Sequence, residues 1–549
     1  MEPNVPKAPV TWRVFGLELQ LGEPEALVRE RACRELGIDP ARVRGFRLVR
    51  KALDARKKNG ERRLRFVLCA DIVVDAGFRS ARLARAERSG TVRRAPPAAD
   101  LDPRVVHPSW RAHPGAHVAV VGSGPAGLFA AIVLARGGVR VTIVDRGSVL
   151  ERRGSELVAF HRTRTPNPES NLLYGEGGAG TYSDGKIYTR VDDPLEVPIL
   201  EEIVACGAKP DILYDSRAHI GTDRLHFILP KLRARMAELG VRFAWNTRVD
   251  GIVHDHGRVR ALQTSAGDIA VDAVVFAPGH SARDTWAALA EQGVAFEAKP
   301  FQLGVRIEHP QELVTRGQFG DGPEVASLGA ASYGLVSRAA GGVPATHSFC
   351  MCPGGRIVAS VSEHGYLCTN GMSNSTHSSR YANAALVTTF TPAEFGNGPF
   401  DGVAFQRALE QRFFDAGGGD YHAPAQRASD FFAGRASRGE MRTSFGFGVV
   451  PARVDELVPE LLRDALRRAL TQFERSITGF AGDDGILVGL ESRSSGPVRM
   501  PRDFKTRRAR GFVNFMPVGE GAGFAGGIMS AALDGAHSAL ALLEHGLID

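Results

Sequence analysis

Three glycines carry the clearest chemistry in this sequence. Gly122, Gly124 and Gly127 are spaced G-x-G-x-x-G, with Ser123, Pro125 and Ala126 completing the turn. In that spacing the first glycine permits a tight turn and the second leaves room for a pyrophosphate to meet the backbone. The third lets a following helix lie close against a strand. Free N–H groups at the helix start, and the positive end of its dipole, hold phosphates. Asp145 stands 18 residues beyond Gly127, placed to accept hydrogen bonds from an adenosine ribose. Arg146 beside it leaves open a 2′-phosphate instead. The alternative to all this is a plain surface turn, because glycine-rich turns are common.

The flanking pattern speaks for the dinucleotide. His117 to Val121 is a short apolar run that predicts a buried strand, Leu128 to Arg136 has apolar residues at helical density, and Val139 to Val144 predicts a second buried strand. Two more glycine-rich stretches supplement this unit. One is GEGGAGTYSDGK at 175–186, with Gly177, Gly178, Ala179 and Lys186 as candidate contacts. The other is GEGAGFAGGI at 519–528, with Gly519, Glu520, Gly527 and Ile528. A strand predicted over 269–276 ends in Ala277-Pro278-Gly279, and Ala277 and Gly279 join the candidates. No second complete fingerprint follows downstream. A nicotinamide dinucleotide needs no C-terminal element to finish its site, whereas a flavin dinucleotide is longer and its ribityl chain and ring must be held by distant chain. Glu520 can accept from a ribityl hydroxyl, and a helix starting near Gly527 can aim N–H groups at the ring edge that gains charge on reduction.

Residues able to act on a substrate are harder to assign. Cys350-Met351-Cys352 reads as a thiol redox centre or as two packed thiols beside a glycine turn; C-x-C closes a ring too small for easy disulfide geometry, which favours packing. A metal at these thiols would need His347 and Cys368, a weak quartet, and no metal is expected. His280 follows the strand end near the cofactor, where Ser281 or Asp284 would otherwise cap a helix. Arg306, Glu308 and His309 line either a pocket or a solvated face. Arg493 and Arg499 are candidates for an anionic substrate. The catalytic residues stay unassigned, with Cys350, Cys352, His280 and Arg306 as the candidates.

At 549 residues the chain predicts two or three domains. The opening MEPNVPKAPV has no apolar core of signal-peptide type and no run reaches the roughly 18 apolar residues of a membrane span. Six sparse cysteines fit a reducing cytoplasm. Charge is concentrated: residues 1–100 hold 22 Lys and Arg against 13 Asp and Glu, so the remaining 449 are near neutral within a chain of net charge +7. That segment predicts a small basic α+β domain, with strands over 12–21, 43–53 and 62–74, a helix over 24–36 and an Asn59-Gly60 turn. Its basic surface suits nucleic acid or another anionic partner, or is simply soluble. The expected division is 1–95 for this domain, 96–113 for a linker, 114–294 for the first part of an FAD-binding domain, 295–485 for an inserted substrate domain and 486–549 for the FAD domain's C-terminal part. The expected fold class is α/β: a Rossmann-like FAD-binding domain with an inserted, β-rich α+β second domain and the small N-terminal domain.

The sequence resembles the two-dinucleotide-fold flavoproteins, and within them the bacterial family labelled uncharacterised FAD-dependent dehydrogenase or NAD(P)/FAD-dependent oxidoreductase. The resemblance spans nearly the whole chain through GEGGAGTYSDGK (175–186), HIGTD (219–223), APGHSARDT (277–285), KPFQLGVRIEHP (299–310), FCMCPGG (349–355), TNGMS (369–373) and GEGAGFAGGIMSAALDG (519–535). It departs at Asp145-Arg146, where the family pattern has Glu-Arg. The resemblance implies FAD more firmly than it implies a reaction. The fingerprint and C-terminal turn lack a histidine or cysteine for attachment, so the FAD is expected to be non-covalent, and the first reading is hydride transfer from a small-molecule substrate, with NAD(P)H as a transient electron donor. A flavin monooxygenase using NAD(P)H and an RNA-modifying or RNA-binding flavoprotein are the other readings.

Overall fold

The computed structural model describes residues 8–58, 61–106, 115–189, 191–545 and 547. The Asn59-Gly60 turn and residues 107–113 of the expected linker lie outside them.

The chain divides into two compact units. The first comprises Met1–Ala99, Lys209–Ala218 and Phe319–Gly329. Its four-stranded antiparallel sheet has the order Gly45–Asp54, Arg65–Val74, Val10–Gln20, Val92–Arg94. Val14, Ile72 and Val74 meet Val28, Ala32 and Leu36 of the helix Leu27–Leu36 in one core. A second helix, Ala81–Ser89, has no counterpart in the sequence expectation. It is nine residues long and arginine-rich, and only Leu83 and Ala86 are buried; Ser80 marks its start by accepting from the Leu83 N–H at 2.9 Å. Some of the basic excess is spent internally, since buried Asp71 binds both Arg13 and Arg47.

The second unit holds two large sheets. One is parallel and five-stranded, in the order Phe515–Pro517, Ala273–Phe276, His117–Val121, Arg140–Val144, Arg242–Ala244. Val118 to Val121 and Ala273 to Phe276 are buried throughout, as strands covered on both faces must be. The helix Pro125–Arg136 packs against the C-terminal helix Ile528–Glu544. Their close approach depends on Gly535, where a Cβ would overlap the Ala126 carbonyl. The strand Phe515–Pro517 and the C-terminal helix therefore complete the layer that His117–Val121 and Pro125–Arg136 begin.

The other sheet has seven strands, mostly antiparallel, ordered Val336–Ser337, Thr346–Cys352, Tyr381–Phe390, Phe301–Pro310, Ile486–Glu491, Ala423–Arg427, Val449–Pro451. The glycine-rich stretch 415–440 contains the strand Ala423–Arg427 and the helix Ala428–Ala433. A proline and two alanines in APAQR give no β signal; pairing of Ala425 to Arg427 with Ile486 to Val488 supplies it. The amphipathic helix Glu460–Glu474 is separated from the short helix Val454–Leu457, because Val458 precedes Pro459 and takes an extended conformation.

Candidate functional site

The glycine turn leaves the strand His117–Val121 at Gly122, whose φ is 97° and whose N–H donates to the Val144 carbonyl at 2.8 Å. A Cβ on Gly122 would overlap the Ala277 carbonyl, and one on Gly127 would overlap the Gly122 carbonyl. Gly124 differs. It has ordinary extended backbone at the N-cap of Pro125–Arg136, and the nearest atom to a Cβ there is the Gly178 Cα at 4.0 Å. The space it leaves is cavity.

That cavity measures about 620 Å³ and is lined by Gly122 to Ala126, Asp145 and Arg146, Gly178 to Gly180, Ser183 to Lys186, Ala277 to Ala282, Val518 to Glu520 and Gly526 to Ala531. The rest of its lining includes residues of the seven-stranded sheet and its neighbours: His347 to Cys350, Cys352, Asn370, Gly371, Arg493 and Ser494. Two helix N-termini open onto it, Pro125–Arg136 and Ile528–Glu544, and neither is capped by a side chain. The C-terminal turn is drawn in tightly, since Gly519 N–H donates to Asp534 at 2.8 Å and a Cβ on Gly521 would overlap Gly279.

Most of the residues singled out in the sequence meet here, with exceptions that change their roles. Gly127 and Gly177 are behind the wall: the first packs on Gly122, and the second donates to the Ser123 carbonyl at 3.0 Å. Asp145 lines the cavity, but its carboxylate is spent on the turn. One oxygen accepts from Ser123 N–H (2.8 Å) and Oγ (2.6 Å), the other from the N–H groups of Gly147 (2.8 Å) and Gly175 (3.1 Å). Each oxygen's two lone pairs are thus filled by the protein, which leaves none for a ribose hydroxyl. Arg146 is likewise committed, to Glu169 at 2.7 Å and to Asp284 at 2.7 and 2.8 Å, while its guanidinium stacks on Tyr174. It has no fork to offer a 2′-phosphate. Asp284 serves this pair and the Thr285 N–H, so it is more than a helix cap.

Arg306, Glu308 and His309 do not line the cavity; they are buried on the strand Phe301–Pro310 of the seven-stranded sheet. Arg306 Nη1 donates to Glu491 at 2.9 Å. Burial pushes Glu308 up to about 7 while Ser444 hydrogen-bonds its carboxylate, and burial lowers His309 to about 4, its Nε2 donating to the Phe480 carbonyl at 2.8 Å. Arg499 is exposed over Phe524 and away from the cavity. Arg493 reaches the cavity wall, but its guanidinium is closed by Glu410 (2.9 and 3.1 Å) and Ser362 (3.0 Å), so neither arginine is free for an anionic substrate. His280 lines the cavity with Nε2 against the Arg493 carbonyl. Burial and the nearby arginines lower it to about 4, so it is a neutral imidazole at neutral pH.

Lys186 Nζ is paired with Asp184, which also binds Ser373, and the two thiols of Cys350 and Cys352 lie within electrostatic range of that ammonium. Glu520 has no protein hydrogen bond to its carboxyl group among those the described residues make; burial pushes it up to about 8, against the pull of Lys299. It is a neutral donor facing the cavity at neutral pH. Lys299 and Asp184 lie in strings the sequence offers but are not among its candidates: the approach of Lys299 to Glu520 and of Asp184 to Ser373 joins segments more than 180 residues apart.

Glu520 has a testable consequence for the apoprotein. Its folded pKa of about 8 stands above the ordinary 4.5, so the unfolded chain releases its proton first as pH rises and the folded state loses stability between those two values. Glu520→Gln removes this contribution. The melting-temperature difference, variant minus wild type, is expected to grow from pH 4.5 to 8; a difference flat in pH would show that the group is not held protonated.

Comparison with known proteins fits this geometry. Residues 115–163 match the FAD binding domain family, 211–334 the FAD dependent oxidoreductase family, 300–494 the C-terminal domain-like family of FAD-dependent proteins, and 13–72 a domain of unknown function. Over 545 residues the chain is 35% identical to an uncharacterised protein of Clostridium beijerinckii, covering 97% of this chain and 98% of that one. The chain belongs to a family of FAD-dependent oxidoreductases. Among solved structures this flavoprotein is similar to CtdE in complex with FAD (12% identity, 79% of this chain and 85% of that one, TM-score 0.31). It is also similar to L-proline dehydrogenase from P. horikoshii (12%, 77% and 92%, 0.32) and to NikD, an unusual amino acid oxidase essential for nikkomycin biosynthesis (13%, 77% and 93%, 0.30).

FAD is the cofactor, and the residues present fit it. Two uncapped helix N-termini supply orphaned N–H donors for an anion, Gly124 leaves backbone open where a side chain would intrude, and Glu520 offers an unengaged carboxyl group. No helix among the described residues is long and apolar enough to cross a membrane.

Proposed function

We propose that this oxidoreductase is a dehydrogenase in which FAD, held non-covalently, accepts a hydride from a small organic substrate. One observation carries the reading: a single cavity is lined by the glycine turn, by two helix N-termini and by residues of the seven-stranded sheet. A dinucleotide along the glycine turn and helix N-termini would have its reactive ring facing the sheet residues. In this reading the parallel sheet and the C-terminal segment form a Rossmann-like FAD-binding domain, and the β-rich part inserted into it is the substrate domain.

The bound flavin would supply the two-electron acceptor. The N–H groups at the start of Pro125–Arg136, with Gly122 to Ala126, would hold the pyrophosphate. Gly178, Ala179, Lys186, Ala277 and Gly279 would shape the walls around the cofactor. Gly519, Glu520, Gly527 and Ile528 would hold the ribityl chain and the ring edge, where the helix dipole favours the charge gained on reduction. Asp145 and Arg146 would act through the turn rather than on the nucleotide. His280, a neutral imidazole donating through Nε2, keeps its Nδ1 as an acceptor close to Ser281 Oγ at 3.4 Å. No histidine or cysteine of the fingerprint or C-terminal turn is available for a covalent link. Six unpaired cysteines suit a reducing compartment.

The purified protein is expected to be yellow and to release intact FAD on acid treatment. Recovery of FMN, or of no flavin, would count against the reading. Anaerobic bleaching by candidate substrates identifies the reductant. Rapid bleaching by NAD(P)H alone would favour the monooxygenase reading. The basic N-terminal unit supports an anionic partner; salt-dependent retention of RNA is the measurement that tests it.

A further inference from the structure

Five of the six cysteines are buried, and Cys350 alone is half-buried, at a position that lines the cavity. The residue is held in an unfavourable conformation. Pairing of Thr346–Cys352 with Tyr381–Phe390 slips between Phe349 and Cys352, and at this bulge Cys350 has a φ of 41°, in the left-handed region that a Cβ resists. Glycine would sit there at less cost. The bulge is fixed from behind by Arg306, which is fully buried and donates through Nη2 to the Cys350 carbonyl at 3.0 Å and to Asn383 at 2.5 Å, with Nη1 on Glu491. Gly371 makes room for that guanidinium, since a Cβ there would overlap it. A strained cysteine, a buried brace and a glycine that admits the brace together present one side chain to the cavity.

The charges around it are closed. Among the described residues, every arginine and lysine lining the cavity is paired with a carboxylate: Arg146 with Glu169 and Asp284, Lys186 with Asp184, Arg248 with Glu169 and Asp250, and Arg493 with Glu410. An anionic group brought to this wall would meet no unmatched cation among the described residues. Burial pushes the Cys350 thiol up to about 12, so it meets a ligand as a neutral, polarisable S–H.

We propose that Cys350 contacts the reacting end of the substrate, that Arg306 is the positioning residue that sets it there, and that this end of the substrate is uncharged: an alcohol, a thiol or a neutral carbonyl compound rather than a carboxylate. The inference rests on the reading of the cavity as the catalytic one.

Two alkylating probes of nearly equal size test it. The holoprotein is treated in parallel with iodoacetamide, which is neutral, and iodoacetate, which is anionic. Labelled cysteines are mapped by mass spectrometry and rates are referred to those of glutathione. Alkylation needs the thiolate, so Cys350 is expected to label far more slowly than glutathione; it should still label ahead of the other five, whose thiols burial also raises and which are less exposed. Iodoacetate should fall behind iodoacetamide by about tenfold more than it does with glutathione, because an anion entering this wall loses water without gaining a cation. Labelling should leave FAD content unchanged while shifting the flavin absorption spectrum. Cys350→Gly should keep FAD and melt no lower than wild type, since glycine relieves the bulge. Arg306→Lys, which keeps a charge against Glu491 but cannot span both the Cys350 carbonyl and Asn383, should reduce the preference for Cys350 and the discrimination between probes. Iodoacetate reacting as readily as iodoacetamide would overturn the uncharged substrate. Labelling of Cys350 no faster than the other five, no spectral shift, or a fall in melting temperature for Cys350→Gly would overturn its role. A protein that carries no flavin before labelling would instead sink the cofactor reading and leave the labelling order to judge the thiol.

Discussion

Gly124→Val is expected to yield a folded, colourless protein. The substitution separates cofactor binding from folding because of where the three fingerprint glycines stand. Gly122 and Gly127 are locked by the chain itself, with carbonyl oxygens where their β-carbons would go, so alanine at either site should disturb the fold. Gly124 has extended backbone open to any residue and 4.0 Å of clearance to the nearest atom, so valine fits the protein and enters only the cavity. Its two methyl groups would occupy the approach of the pyrophosphate to the helix N-terminus. Loss of that contact is expected to cost at least ~3 kcal/mol, or over a hundredfold in affinity. The measurement is flavin per chain after gel filtration, alongside the melting temperature of stripped wild type and variant. Matching melting temperatures with flavin lost support the placement of the phosphates. A fully yellow Gly124→Val would overturn it.

The same contrast shows what was legible in the sequence. Strand, glycine turn, helix and second strand are contiguous, and each has its own local signal, so the first half of the site could be read directly. The partners of that turn could not. The acidic residue after the second strand announces a ribose contact by its position, yet four donors, one of them Gly175 from a loop 30 residues on, fill Asp145. Arg146 offers a guanidinium in sequence and a closed ion pair in the fold, because Asp284 lies 138 residues away. Arginine at a strand end or after a serine looks free until its carboxylate arrives from elsewhere. The helix Ala81–Ser89 escaped for a different reason: it is nine residues long and buries two apolar side chains, so it does not stand out from the arginine-rich segment around it. The CMC string did draw attention, but as a pair of thiols. Only the pairing register exposes the bulge that separates them and turns Cys350 into a position unlike Cys352, which is fully buried.

Glu410→Gln is expected to give the largest loss of stability of any single isosteric change in the second unit. Glu410 lies on the helix Asp401–Ala416, fully buried, and binds two buried guanidinium groups: Arg283 at 2.8 and 2.9 Å, and Arg493 at 2.9 and 3.1 Å. Arg283 opens the helix that follows the Ala277–Ala282 lining of the cavity, and Arg493 itself lines it, so one carboxylate ties both parts of the lining together. An amide keeps the shape and removes the charge, leaving two cations that share only the half-buried Glu363. Breaking a buried ion pair in this way costs about 3–5 kcal/mol. Arg493→Met should cost less, because one guanidinium still balances the carboxylate. Acid gives a second check. The two arginines hold Glu410 far below the usual carboxylate range, so its contribution is complete above the unfolded value near ~4.3 and is lost as pH falls below it. The gap between wild type and Glu410→Gln in denaturant midpoint should therefore be widest at neutral pH and close progressively in acid. A Glu410→Gln protein no less stable than Arg493→Met, or a gap that persists unchanged at low pH, would show that the cluster is held by packing and not by charge.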